Sequence, residues 1–582
     1  MILDNQSRKI IVIVIMLLFL GMTISSTGLN VEKQSTKVSN SFPYQDGWPF
    51  ILNISTGINS QSINVADIND DGFIELILPF HDKIYAWAYD GNLLNGWPIQ
   101  PSYNHRGTAL GDLDNDGNLE IVCVFCELGV ISIFRYNGQE VTVGWPKSVG
   151  GSIIHSPVLE DIDNDGELEI ISMGNRYEVY AWNFDGSKVP NWPVDLSPYG
   201  SGGLNSIAVG DVNRDGFKEV VITSMSMSTK YKRIFVLSNE GEVLYNWQPD
   251  VEVSTSSSNF PVLADINNDD SLEILLTGQT EVFAWRYNGQ EIWKKVYEGE
   301  AGQIAVGNIE YNSSSPEIIV CNRHKIYGYH GDGTSLSGNW PVSIENVSWV
   351  WSSGVHSGSV IGDIDGDNEL EVILNGFRMP ERHWVIYAIN PDGSVVDGYP
   401  IVEGEYDNII FSNTPVLADI DKDGDIELCS YAQTYPHGPE VMIVVVYDLP
   451  FPYNPQKIDW PMLQHDCRRT GVHPEYELEI EIPTGLYFSG VPVTINNIGP
   501  ESPTVVYWTF GMVPIIGRVL IGGHKEGSLA EIPPGGQQLI TVGPAFGFGL
   551  ITINVTVCAI NAYEISTSKT AFIFGQFVFV IK

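Results

Sequence analysis

One nine-residue pattern of oxygen-bearing side chains recurs along this sequence. It reads DINDDGFIE from Asp67, DLDNDGNLE from Asp112, DIDNDGELE from Asp161, DVNRDGFKE from Asp211, DINNDDSLE from Asp265, DIDGDNELE from Asp363 and DIDKDGDIE from Asp419. In each copy a carboxylate or an Asn amide stands at positions 1, 3 and 5, Gly usually at 6 and Glu at 9. Alternate positions of a tightly curled loop converge on one centre, glycine supplies a positive φ, and a hard cation takes six to eight oxygens. Without a cation, carboxylates gathered within about 4 to 6 Å repel one another by roughly 1 kcal/mol or more per pair. The pattern contains no His or Cys, which favours Ca2+ over zinc or copper.

The expected ligands of the first loop are therefore Asp67, Asn69, Asp71 and Glu75, with the carbonyl of Phe73 as a fifth. The corresponding sets are Asp112, Asp114, Asp116 and Glu120; Asp161, Asp163, Asp165 and Glu169; Asp211, Asn213, Asp215 and Glu219; Asp265, Asn267, Asp269 and Glu273; Asp363, Asp365, Asp367 and Glu371; and Asp419, Asp421, Asp423 and Glu427. Together they predict about seven Ca2+ sites. An EF-hand is excluded because its bidentate Glu stands at position 12 between helices. Asp270 and Asn368 replace the glycine in two copies, and both residue types tolerate the left-handed conformation. A degenerate copy from Asn308 (NIEYNSSSPE) has Ser at the glycine position and Glu317 one place late, so no metal is expected there.

The copies are spaced by about 50 residues, the length of a propeller blade. Two further signals share the period. Turn pairs such as Asp90-Gly91, Asn137-Gly138 and Asp185-Gly186 follow each acidic motif, and an aromatic residue then closes each unit: Trp97, Trp145, Trp192, Trp247, Trp293, Trp340, Tyr399 and Trp460. Each unit reads as four strands, the second an apolar run buried on both faces and the third alternating. The prediction is an all-β chain with an eight-bladed propeller over residues 42–472, a seven-bladed ring being the alternative. WPFILNI from Trp48 looks homologous to the stretch at Trp460, and either could complete the last blade and lock the ring.

The pattern D-x-[DN]-x-D-G-x-x-E in register resembles the FG-GAP/VCBS repeats of integrin α-chain propellers and of many prokaryotic surface proteins. That resemblance implies Ca2+ loops on one rim and ligand binding on the other. Glu at position 9, eight copies and the lack of a membrane helix after the propeller separate this chain from integrins, so integrin partners do not carry over. WPMLQHDCRRTG from Trp460 resembles the segment that closes such propellers in secreted prokaryotic proteins.

If the acidic loops join first and second strands, the loops leading into the first strands line the opposite rim. They offer His105, Arg106, His155, Asn259, Trp349, Trp351, His356 and Asn413. Aromatic faces beside polar groups suit sugars or peptide side chains, so His105, Arg106, His155, Trp349, Trp351 and His356 are the candidate ligand-binding residues and the expected partner is an extracellular glycan or protein. The alternative is a polysaccharide lyase, since rhamnogalacturonan lyases resemble this architecture. A lyase needs bases to neutralise and deprotonate a uronate, and Arg106, Lys147, Lys230, Lys232 and Arg382 are the scattered candidates.

Composition agrees with this reading. The chain of 582 residues has 30 Lys+Arg against 71 Asp+Glu, a net charge of -41, and 30 of those acids lie in the seven nonapeptides. A nucleic-acid partner requires the opposite sign. Arg8 and Lys9 precede an apolar run from Ile10 to Ile24 and then small residues, the three-part pattern of a signal peptide over residues 1–28 or, alternatively, of an N-terminal membrane anchor. Both place the rest outside the cytoplasm, after a linker over 29–41. The six cysteines are too few for a disulfide scaffold in this length. After Gly471 the acidic repeat stops, and six or seven strand-like runs between Gly/Pro turns over 473–582 suggest an immunoglobulin-like β-sandwich resembling adhesion-type modules.

Overall fold

Between its turn-forming clusters the chain runs through Val, Ile, Tyr and Trp, which fit a pleated surface buried between neighbours. In the computed structural model these runs are strands. It describes residues 42–53, most of 62–470 (the longest stretches left out are 250–259 and 344–357) and the backbone of strands between 478 and 580. The expected signal or anchor and the linker lie outside the described residues. Among the described residues no helix is long and apolar enough to cross a membrane.

Blade 2 shows the plan. Strands His105–Gly111, Glu120–Phe125, Val130–Phe134 and Lys147–Ser148 pair antiparallel in that order. Gly111 stands opposite Glu120, so the acidic nonapeptide is the hairpin loop between first and second strands. The same plan repeats over residues 64–99, 158–195, 204–247, 262–296, 301–343, 359–403 and 409–452, which are blades 1 and 3 to 8. In blade 1 the fourth strand is reduced to the bridges Trp87–Leu93 and Ile84–Ile99. Second strands are buried, as expected; third strands such as Lys83–Trp87, Val130–Phe134 and Glu281–Trp285 are buried beyond their first residue instead of alternating, while Glu178–Trp182 and Lys325–Tyr329 keep a half-buried third residue. Blades stacked on both faces account for this, because each side of a sheet meets a neighbour.

First strands contact one another in sequence order, and blade 8 contacts blade 1, so the ring closes at eight. The N-terminal strand Phe50–Asn53 pairs with Val441–Val444 and forms the outer edge of blade 8. Trp48 therefore belongs to blade 8. Its Nε1 donates to the Tyr89 carbonyl of blade 1, as Trp97 does to Tyr136 in blade 2 and Trp145 to Phe184 in blade 3. These tryptophans clasp each blade to the next. The glycine before them leaves no room for a side chain: a Cβ on Gly47, whose φ is +100°, would sit 1.7 Å from the Asp90 carbonyl oxygen.

Trp460 does something else, and the expected homology with Trp48 does not hold. Residues 457–470 accept backbone hydrogen bonds from the first strands of four blades: Ile361 donates to Trp460, Leu417 to Pro461, Leu159 to Arg468 and Val209 to Thr470. Asn308 donates to Asp459, and the buried Arg469 donates to the Thr108 carbonyl of blade 2. A segment that meets the innermost strands of six blades occupies the central channel.

Nine strands follow between Leu478 and Val580. Leu478–Glu481, Val491–Asn497 and Gln537–Val542 form one sheet, and six strands around Val505–Ile521 and Phe546–Ala559 form another. The expected immunoglobulin-like packing of sheet on sheet depends on side chains outside the described residues.

Candidate metal centre

Every acidic loop is anchored by its position-9 glutamate. Pairing places Glu427 opposite Ala418 and Glu75 opposite Ala66, at the mouth of the hairpin. The side chain turns inward, where one oxygen accepts the amide of position 2: Ile68 to Glu75 at 3.0 Å, Leu113 to Glu120 at 3.0 Å, Ile162 to Glu169 at 2.9 Å, Val212 to Glu219 at 3.1 Å, Ile266 to Glu273 at 3.3 Å, Ile364 to Glu371 at 3.0 Å and Ile420 to Glu427 at 2.6 Å. The apolar side chain of position 2 is itself buried and stakes the loop to the core.

The aspartates shape the curl. Asp67, Asp112, Asp161 and Asp211 accept the amides of positions 5 and 6, and Asp71, Asp116, Asp165, Asp215, Asp269, Asp367 and Asp423 accept that of position 7. Phe73 donates its amide to Asp71, and its ring stacks on Tyr89. Glycine at position 6 has the expected positive φ, as at Gly72 (+90°) and Gly424 (+94°). Position 4 is also left-handed, at Asp70, Asn115, Asn164, Arg214, Asn268, Gly366 and Lys422. Sequence reasoning missed this, although Asp, Asn and Gly predominate there and are the residues that enter this region most readily. Asn368 has φ +72°, and Asp270 lies outside the described residues.

Burial and mutual repulsion make the loops electrostatically unsettled. Desolvation, with neighbouring aspartates adding to it, pushes the carboxyls of Glu75, Glu169, Glu219 and Glu273 up to about 8, and those of Glu371 and Glu427 up to about 9. Asp161, Asp163 and Glu169 bring one oxygen each within 4.8 Å of one another, as do Asp363, Asp365 and Glu371, and Asp419, Asp421 and Glu427. Glu273 Oε1, Glu371 Oε1, Glu427 Oε1, Asp114 Oδ1, Asp163 Oδ1 and Asp419 Oδ1 are buried and accept no hydrogen bond. These are the oxygens a hard cation would take, and the donor set fits one. In blades 1 and 4 the Asn69 and Asn213 amides point a donor at Glu75 and Glu219 and would turn the carbonyl inward to ligate.

Blade 2 differs. Asp112, Asp114 and Asp116 cluster, but the Arg135 guanidinium pairs with Asp114 and Asp116 and with Glu120. Arg286 pairs with Asp269 in blade 5. The degenerate loop of blade 6 also departs from expectation. Its extra residue is absorbed in the curl, so Glu317 pairs with Gly307 in the usual place, and Glu310, Glu317 and His330 form a further group able to hold a metal.

At the other ends of the first strands, His155 is buried against Phe260, with ring centroids 5.1 Å apart, and Asn413 donates to the Tyr431 hydroxyl. His105 begins the first strand of blade 2. The side chains of His105, Arg106, Asn259, Trp349, Trp351 and His356 lie outside the described residues, as do Lys230 and Arg382. Lys147 sits over the Trp145 ring and beside the Asp185-Gly186 turn, which shares the rim of the acidic loops, so it does not belong to the opposite rim. Lys232 is wholly buried, and desolvation lowers its ammonium to about 7.

Residues 112–172 and 161–222 match the FG-GAP-like repeat family. The chain carries FG-GAP-like repeats. The matched residues are most of blade 2, blade 3 and part of blade 4, and the same hairpin loop recurs in the other blades. No curated protein matches the sequence. Similar solved structures include the V. cholerae biofilm matrix protein Bap1 (15% identity, covering 71% of this chain and 82% of that one, TM-score 0.34). Others are BBS1N in complex with ARL6DN (10%, 68% and 97%, TM-score 0.36) and a streptogramin B lyase (10%, 69% and 99%, TM-score 0.33). Likeness at this level says nothing about ligand or activity.

Proposed function

We propose that the acidic loops bind Ca2+ and that the propeller is an extracellular binding module, presenting the rim opposite those loops to a glycan or protein. The observation that carries the metal reading is the recurrent buried glutamate, held by one oxygen, with the other left unpartnered beside aspartates within 4.8 Å in blades 7 and 8. Such a group is stable as a carboxylate only beside a cation; without one it takes up a proton and becomes the neutral acid. Binding is favoured over lyase chemistry because two of the five candidate bases are placed elsewhere, Lys147 on the acidic rim and Lys232 in the core.

Thermal melts in Ca2+ and in EDTA test the metal. A cation bound only by the folded state adds about 2.7 kcal/mol per site at one hundred times its Kd, so Tm rises with Ca2+; an unchanged Tm sinks the calcium reading. Glycan arrays and pull-downs with the same protein test the partner. Release of unsaturated product from acidic polysaccharides would replace the binding reading with the lyase.

A further inference from the structure

The acidic loops share one backbone but differ in the residue that follows the third strand. That residue opens the neighbouring hairpin turn, where its amide donates to the carbonyl four residues on: Ala88 to Asn92, Arg135 to Gln139, Asn183 to Ser187, Ser238 to Glu242, Arg286 to Gln290, His330 to Thr334 and Asn390 to Ser394. The position is thus structurally the same in blades 1 to 7, and it stands beside the acidic loop. In blades 2 and 5 it is arginine. Arg135 Nη2 lies 2.7 Å from Asp114 Oδ2, and its Nη1 lies 3.4 Å from Asp116 Oδ2 and 3.3 Å from Glu120 Oε1. Those carboxylates are at positions 3, 5 and 9, three of the four a metal would need. Arg286 Nη2 reaches Asp269 Oδ2, at position 5, at 3.0 Å, a single contact that leaves the buried Glu273 Oε1 without a hydrogen-bond partner.

We propose that Arg135 and Arg286 are built-in cations that take the place of the divalent ion in blades 2 and 5, so that the propeller holds five Ca2+ ions, in blades 1, 3, 4, 7 and 8, and none in the degenerate loop of blade 6, where His330 stands at the same position with Nδ1 3.6 Å from Glu317 Oε1. A guanidinium is permanently charged and presents a planar fork suited to several carboxylate oxygens. Being tethered, it competes at a high effective concentration and repels any second cation from the same oxygens. In blades 1, 3, 4 and 7 the equivalent residues Ala88, Asn183, Ser238 and Asn390 carry no charge, and in blade 8 Asp448 is acidic. This inference rests on the calcium reading above.

The test counts ions per chain, by mass spectrometry of bound metal and by isothermal titration, on the full chain and on four variants. The wild type is expected to bind five. Arg135→Gln and Arg286→Gln are each expected to bind six and the double variant seven, while Asn183→Arg, which places the same fork in blade 3, is expected to bind four. An arginine variant that leaves the count at the wild-type value overturns the assignment for its blade, and a wild type that binds seven overturns it for both. Asn183→Arg keeps the question open to refutation should an arginine variant fold poorly: if it still binds five, the fork does not displace the ion. No Ca2+ bound by any form would defeat the calcium reading itself, and this inference with it.

Discussion

The acidic loops of blades 2 and 8 are one nine-residue unit folded twice, and they differ in what neutralises them. Glu120 and Glu427 are both buried, and each accepts the amide of position 2. Burial pushes both carboxyls up, but Glu120 only to about 7, with Arg135 among the opposing influences, and Glu427 to about 9, with Asp421, Asp419 and Asp423 adding to the rise. The motif therefore fixes where the carboxylates stand and leaves open which cation they meet. In blade 2 a side chain outside the motif, Arg135, some 15 residues on, reaches them.

The largest effect that separates the two blades is the response to metal. Glu427→Gln removes a charged group from the proposed Ca2+ site, and the Ca2+-dependent part of the unfolding free energy is expected to fall by about 2.7 kcal/mol at one hundred times the Kd. Glu120→Gln is expected to leave that part unchanged. Chemical denaturation of both variants with Ca2+ and with EDTA measures the two differences. Equal losses would mean that blades 2 and 8 are metal sites of the same kind.

Much of this was legible in the sequence because repetition amplifies weak signals. One copy of D-x-[DN]-x-D-G-x-x-E is only an acidic turn, whereas seven in register with turn pairs and tryptophans require a ring of sheets. What stayed hidden was whatever occurs once. Trp48 and Trp460 look alike as Trp-Pro pairs, and only pairing of Phe50–Asn53 with Val441–Val444 shows which one closes the ring. The channel segment makes its contacts largely through backbone carbonyls, which have no signature in residue type. Glu317 looked displaced because an inserted residue changes sequence spacing without changing strand register. Arg135 was invisible as a competitor because nothing local ties it to a loop that ended before it.

A smaller effect follows from the protonation of the same two glutamates in EDTA. A carboxyl whose folded value is raised binds its proton more tightly in the folded state, so its contribution is fully present below the unfolded value near 4.5 and is lost as pH rises through the folded value. For Glu120 the loss ends at about 7, and for Glu427 it continues to about 9. Stability in EDTA is thus expected to decline from pH 5 to pH 9. At pH 9 Glu427→Gln should recover more of it than Glu120→Gln, on the order of 1.4 kcal/mol for each pKa unit between them. Urea titrations at pH 5, 7 and 9 read this directly. A stability that rises with pH in EDTA would show that the glutamates are already compensated within the fold.

The smallest effect asks whether blades 2 and 8 are otherwise equivalent. Trp145 clasps blade 2 to blade 3 and Trp48 clasps blade 8 to blade 1, with Nε1 donating to Phe184 and Tyr89 carbonyls at 2.6 and 2.8 Å. Each indole packs edge-on at 6.1 Å from the tryptophan of the next blade, Trp182 or Trp87. Only chain connectivity differs, since Trp48 is brought to blade 8 by the N-terminal strand. Trp145→Phe and Trp48→Phe each delete one hydrogen bond and leave a partly buried carbonyl unpaired, so each is expected to cost about 1 kcal/mol, the same with Ca2+ as with EDTA. A markedly larger loss for Trp48→Phe would mean that the strand closing the ring detaches as a unit, and the two blades would then differ at the seam as well as in their cations.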